Sequence, residues 1–388
     1  MQNTAAVGAR LVSVDQGSSD SSVSRQWLSR SPDQKFLSLE LLEKNVADRR
    51  LVSREFRTAT KRIEFLAPPN PQTINETHDL QVGLSTGEIL NPSHFSFGQL
   101  ATLAKAPAAY LRTLPSQLTA DALSYSLRYA REAEDVKLYA RGPELAAATS
   151  PTYGRIFDEE IVAAVRAFVD SSGGRFKVPG VLDWRTMVYD PDAPVTLDST
   201  TLYASDRDVF VLLVDDRHPI EIGKLPGGEP DYVFRALIVS NSEVGSGAFV
   251  ITTMLVRGVC QNRILWGVEQ SQTLRLVHSS GAPARFIEQA KPALIAYSEG
   301  SSAGIIEGVT RAKEAIEAAN DDDALAFLQG RDFSKKLSAQ VLETVEREEG
   351  HPARSRWDFV QGLTAVARDI AFNDERLDLE KAAGKLMA

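Results

Sequence analysis

A single cysteine, Cys260, stands among 388 residues. That excludes an intramolecular disulfide and any metal site built from cysteines. Histidine is nearly as scarce, with five in the chain, which leaves little from which to assemble a triad or a zinc centre. No apolar run approaches the roughly 18–20 residues that span a bilayer; the longest, around Val209 to Val214, is the length of a strand. Positive charge is also short. The formal net charge of −9 argues against a uniformly basic nucleic-acid clamp, though not against a local basic patch. No basic segment followed by an apolar core opens the chain, so it is expected to stay in the cytoplasm, where the sequon Asn75-Glu76-Thr77 has no meaning. Walker A, HExxH and EF-hand patterns are missing. Gly245-Ser246-Gly247 lacks the third glycine and the helix of a dinucleotide fingerprint.

What is there reads as an α+β chain: a mostly antiparallel central sheet flanked by an N-terminal helical part and a helical C-terminal part. Residues 1–30 carry the run Gly17-Ser18-Ser19-Asp20-Ser21-Ser22 and are expected to form a disordered tail, because such a composition cannot bury enough apolar surface to offset its ordering entropy. Residues 31–281 form the α+β core and 282–388 the helical C-terminal region. Ser31, Pro32 and Gln34 predict a capped helix start, and the helix is expected to run on through the basic stretch Lys44 to Arg62. That stretch holds Arg49, Arg50, Arg54, Arg57, Lys61 and Arg62. Its plain reading is a solvated helix face; its sharper one is a polyanion-binding strip. Two short strands are expected around Ser85-Thr86-Gly87, then helices over 97–104, 108–114 and 119–131, a strand over 136–141, and an amphipathic helix capped by Asp158 with Ile161, Val162, Val165 and Phe168 on its apolar side. From Thr200 to His278 the apolar period is two, which predicts an antiparallel meander over 200–204, 208–214, 231–240, 248–257 and 272–278. Beyond Gly281 the pattern is helical.

Several residues invite chemical readings. Gly300-Ser301-Ser302-Ala303-Gly304 matches a nucleophile elbow, with acids at 321–323 and 332 and His351 following in hydrolase order. An elbow needs a strand before it, and the preceding segment reads as helix, so a small-residue joint between helices is favoured. Cys260 with His278 is better read as a small buried apolar residue than as a nucleophile pair. Asp321-Asp322-Asp323 is better read as a helix start than as a cation site. Asn241-Ser242-Glu243-Val244-Gly245 is a turn signal after a strong strand; its short polar groups either bond their own backbone or hold a phosphate or a base. Arg257 and Arg263 flank the Cys260 region and suit phosphate contacts. Phe210, Tyr232, Phe234 and Phe249 are mostly core, with one or two available for base stacking.

Three stretches taken together resemble a known family. The first joins Lys137-Leu138-Tyr139-Ala140-Arg141, Ala146 to Ser150, and Tyr153-Gly154-Arg155-Ile156. The second joins Ile238 to Gly245 with Arg257-Gly258-Val259-Cys260-Gln261-Asn262. The third joins Trp357 to Ala365 with Leu379 to Gly384. From residue 33 to the C-terminus the chain is similar to phage/plasmid-like proteins that share a conserved domain of unknown function, with a remote likeness to phage single-strand annealing proteins. The resemblance implies life on a mobile element and dealings with DNA. The function expected is therefore non-enzymatic: binding of single-stranded nucleic acid, with annealing in replication or recombination, through Arg49, Arg50, Arg54, Arg57, Lys61, Arg62, Arg155, Asn241, Ser242, Arg257, Asn262 and Arg263. No catalytic residue, metal or cofactor is required, and no membrane. Single-stranded DNA and a further copy of the chain are the partners considered. A protein-interaction or regulatory module is the alternative, and a serine hydrolase at Gly300–Gly304 the minor one.

Overall fold

A computed structural model of the chain describes residues 30–67, 80–129, 135–183, 188–197, 199–224, 228–257, 262–264, 274–299, 302–368, 370, 379 and 382–387. The expected tail (except Arg30), Cys260, Gly300 and Ser301 lie outside them. The fold is α+β, and it holds two main sheets.

The first departure from expectation comes early. Ser31 caps no helix with its side chain. After strand β1 (Lys35–Phe36), Ser38 does so, accepting from Leu41 N–H ahead of α1 (Leu39–Leu51). The basic stretch then leaves the helix at Val52 and continues as β2 (Ser53–Ala59). Tertiary pairing overrides the helical preference of its Arg and Glu residues. Phe56 packs into a core, and the whole of β2 pairs antiparallel with β6 (Asp135–Arg141) from Ser53↔Arg141 to Ala59↔Asp135. Charged residues are what an edge strand carries.

A 3-10 turn, Thr60–Arg62, leads into β3 (Ile63–Leu66), β4 (Gln81–Leu84) and β5 (Ile89–Pro92). The hairpin turn at Ser85-Thr86-Gly87 is present, with Gly87 at φ 85°. Helices α2 (His94–Leu103), α3 (Ala108–Leu111) and α4 (Ser116–Arg128) follow, then β6 and β7 (Glu144–Thr149). Nothing in the sequence pattern announces β7, because its alanines carry little strand signal; buried against neighbours, Ala146, Ala147 and Ala148 fit where larger residues would not. The strand order is β2-β6-β7-β5-β4-β3, with β5 and β7 parallel and the other pairs antiparallel. β2 and β3 are thus opposite edges joined by a three-residue link. Six flat strands would set those edges about 24 Å apart, and four Cα steps reach about 14 Å. The sheet therefore curls, which brings the end of β2 near the start of β3 without pairing the two edges. Its inner face packs Ile63, Val82, Leu90 and Leu138 against Phe97, Leu100 and Leu123 of α2 and α4. The free edge of β3 is closed by Ser124 Oγ, which accepts from Phe65 N–H at 2.8 Å and lies 3.4 Å from the Phe65 carbonyl.

Helix α5 (Asp158–Ser171) follows, then a small hairpin, β8 (Val181–Asp183) with β9 (Val188–Asp190). The larger sheet is the expected meander: β10 (Leu202–Ala204), β11 (Val209–Lys224), β12 (Pro230–Asn241), β13 (Phe249–Arg257), β14 (Asn262–Ile264) and β15 (Leu274–Leu276), with β1 on the outer edge beside β10. All its pairings are antiparallel. Period two places Val209, Val211, Leu213, Leu237 and Val239 on the face that packs against α1, α5 and α6 (Ala282–Glu299). Phe210, Phe234, Ala236 and Ile238 occupy the other face. The far end of the sheet, at Ile220, Ile222, Val233 and Leu255, shares a core with α7 (Ala303–Glu314), α8 (Asp321–Gln329), α9 (Lys335–Glu349) and α10 (Arg356–Arg368). Helices α9 and α10 approach closely at Gly362, where a Cβ would stand 2.6 Å from Val345 and 2.7 Å from Val341.

Candidate functional site

The twelve residues expected to meet nucleic acid divide between several places. Lys61 and Arg62 sit on the link between β2 and β3. With Arg128 at the end of α4 they line a cavity of about 460 Å³ floored by Leu66, Leu84 and Ile89 and bounded by the β4–β5 turn. All three cations are exposed. Glu64 and Glu88 also line it. Arg128 reaches Glu64 at 3.5 Å, and Arg54 from β2 pairs with Glu88. Exposed pairs of this kind contribute little. Among the described residues, Lys61 and Arg62 have no acidic partner, so the rim keeps a positive excess in an acidic protein.

Arg57 is exposed further along β2 and donates to the Pro151 carbonyl at 3.2 Å. Arg257, Asn262 and Arg263 lie on the other sheet, where Arg257 pairs in register with Asn262 and Val256 with Arg263.

Arg49, Arg50, Arg155, Asn241 and Ser242 converge elsewhere, on the junction of the two sheets. There the turn after β12 is inserted against β6 and β7. Ser242 Oγ donates to the Arg207 carbonyl at 2.6 Å, Gln99 Nε2 to the Val244 carbonyl at 2.9 Å and Tyr153 Oη to the Ser242 carbonyl at 3.1 Å. Asn241 Nδ2 donates to the Ile156 carbonyl at 3.0 Å and to Asp158 Oδ1 at 2.8 Å. Arg155 is buried, its Nε 2.9 Å from Glu55 Oε1 and its guanidinium 4.3 Å from the Tyr139 ring centre. Arg50 lies 3.9 Å over the Phe157 ring. Asn241 and Ser242 are thus bonded within the fold, and the turn they make is a plug between sheets. Gly154 is fixed there too: its N–H donates to the His278 carbonyl, and a Cβ would fall 2.0 Å from the Ser279 carbonyl oxygen. Buried His278 returns the bond through Nδ1 to the Gly154 carbonyl at 3.0 Å and stacks on Tyr153, and burial holds the imidazole below its usual pKa.

At the centre of the junction two acids meet. Asp158 does not cap α5; Phe157 occupies that position, its N–H donating to Glu160 Oε2. The Asp158 carboxyl instead turns inward, 1% exposed, with Glu243 at 4%, and each carboxyl feels the other. Burial first, and then the charge of Glu243, push Asp158 well above the usual carboxylate range. Burial alone would raise Glu243 as well, but Arg141 first, with the neighbouring Asp158 carboxyl and the Tyr139 hydroxyl at 2.6 Å, more than offsets it, so Glu243 is held low. Two buried like charges oppose each other's ionisation, which drives Asp158 toward its neutral form while Glu243 is held toward its charged form. Arg141 lies 3.6 Å from Glu243, and Arg49 3.4 Å from Asp158.

A pH effect of definite sign follows. Between the ordinary aspartate value of 3.8 and its raised native value, Asp158 binds a proton in the folded state and not in the unfolded one, so stability falls as pH rises through that window. Asp158→Asn keeps a neutral group with a donor for Glu243. Its thermal stability should fall less than that of the wild type as pH rises above the ordinary aspartate value, as read by melting curves over a pH series. Parallel profiles would show that Asp158 holds no proton.

Residues 147–305 match the family model described as Domain of unknown function (DUF932). The match fits the expected conserved domain of unknown function. No curated protein and no solved structure matches the chain. The matched segment carries Asp158 and the 241–245 plug, whereas Lys61, Arg62 and Arg128 lie outside it.

The remaining sequence signals resolve structurally. Helix α6, not a strand, precedes Ser302, and Arg235 Nη2 reaches Ser302 Oγ at 3.5 Å. Exposed His351 faces its neighbour's carbonyl. Asp321, Asp322 and Asp323 open α8 behind the Asn320 cap. Phe210, Phe234 and Phe249 are buried. Among the described residues, no helix is long and apolar enough to cross a membrane. Sequence reasoning missed Arg128, which reaches the cavity only through folding, and the exposed tyrosines of α4, whose i, i+4 spacing on a polar face is a legible signal.

Proposed function

We propose that the protein binds single-stranded nucleic acid without enzymatic chemistry, and that it serves annealing in the replication or recombination of a mobile element. The observation that carries this reading is the cavity beside the Thr60–Arg62 link, where Lys61, Arg62 and Arg128 face one concave surface and two of the three lack an acidic partner among the described residues. Cations grouped around a concavity suit phosphates, which are neutralised without reading sequence. Arg54 and Arg57 extend the positive edge along β2. The strand's base edges stay free to pair, which annealing requires, and no nucleotide cofactor enters.

The test is filter binding of the full chain to single- and double-stranded DNA over a salt series. Binding to single strands regardless of sequence, with the logarithm of affinity falling linearly in the logarithm of salt, supports the reading. Absence of binding to any single strand at low salt by folded protein ends it. That result favours the second reading, an interaction module, which draws on Leu41, Leu51 and Val52, exposed along and just after α1.

A further inference from the structure

We propose that Tyr125, on the outward face of α4, and Tyr129, at its C-terminal cap, are the base-stacking half of the same site, so that its ligand is a strand whose bases are unpaired and unstacked. The inference rests on the phosphate-binding reading of the cavity and specifies what that reading leaves open.

Helix α4 is amphipathic. Thr119, Ala120, Leu123 and Leu127 face the core, while Gln117 and Asp121 on the outer side are solvated as expected. Tyr125 and Tyr129 break that pattern: they are 68% and 65% exposed. A burial requirement would not place two tyrosines one turn apart on a water-facing surface. Their ring centres are 4.8 Å apart, with planes tilted by 43°. They therefore form one continuous aromatic surface, not two separate side chains. Arg128 lies between them in sequence, three residues after Tyr125 and adjacent to Tyr129, and residues three apart on a helix are about 5–6 Å neighbours. Arg128 also lines the cavity with Lys61 and Arg62, so the aromatic surface lies next to the cavity, one helical turn from its nearest cation, and not in its lining.

Charge decides the occupant. A protein partner for exposed tyrosines would not need a positive rim on a chain of net charge −9. A nucleic-acid single strand needs both parts, cations along its phosphates and π surfaces under its bases. A duplex keeps its bases stacked on one another and has none to offer.

The test compares the full chain with Tyr125→Ala/Tyr129→Ala and Tyr125→Phe/Tyr129→Phe. The probes are a fluorescent single-stranded oligonucleotide and an abasic phosphodiester of equal length, read by anisotropy. The wild type should prefer the base-bearing strand by about tenfold or more for each stacked base. The alanine variant should lose that preference while keeping the wild-type salt slope and melting temperature, and the phenylalanine variant should keep all three. Equal wild-type affinity for both probes, or an alanine variant that binds as the wild type does, overturns the inference while leaving the phosphate reading intact; a stripe of that kind would be a protein-docking surface. Failure to bind either probe overturns both.

Discussion

Arg141→Ala should cost about 3–5 kcal/mol of stability, the usual penalty for removing one partner of a buried ion pair. Glu243 is sealed in the junction with its charge matched chiefly by the Arg141 guanidinium, which also donates to the Asp206 carbonyl at 2.9 Å. Without that group, a carboxylate out of water either stays uncompensated or takes up a proton. Urea denaturation of the variant should show the loss as a lower midpoint. Glu243→Gln in the Arg141→Ala background should recover much of it, since no buried charge then remains. A single variant with an unchanged midpoint would mean that Glu243 is already neutral and that the proton assignment within the acid pair is reversed.

The second large effect is on binding. The triple variant Lys61→Ala/Arg62→Ala/Arg128→Ala should reduce the salt slope for single strands by about 2, at roughly 0.7 for each phosphate no longer neutralised. Referred to 1 M salt, where the electrostatic contribution vanishes, this is about a hundredfold weaker binding at 0.1 M. The three side chains are exposed, so the fold should be untouched and the circular dichroism spectrum unchanged. A folded triple variant with the wild-type slope would remove the cavity from the account of function.

Periodicity made the meander and α5 legible, because each buries one face against a neighbour and the apolar spacing records that directly. It failed at β2, whose Arg-Glu-Phe-Arg pattern is also that of a solvated helix face; only pairing with β6, far away in sequence, makes it a strand. It failed at β7 because alanine fits any close-packed site. The charge run drew attention to Lys61 and Arg62, but not to Arg128, which topology alone brings beside them. Asn241 to Gly245 reads correctly as a turn, yet nothing local says that the turn fills a gap between two sheets. Asp158 looks like an ordinary helix cap until Glu243 is placed against it.

The three-residue link Thr60–Arg62 has a consequence for folding order. The β3–β4–β5 and β6–β7 pieces are local and can form early, but β2 must find β6 across the intervening strands and helices β3 to α4, and such non-local pairing comes late and slowly. The cavity exists only once α4 has packed against β3 and the Thr60–Arg62 link. On the proposed reading, a strand held between Arg128 and the link would favour the packed state over every looser one by mass action, so binding and the docking of α4 would reinforce each other.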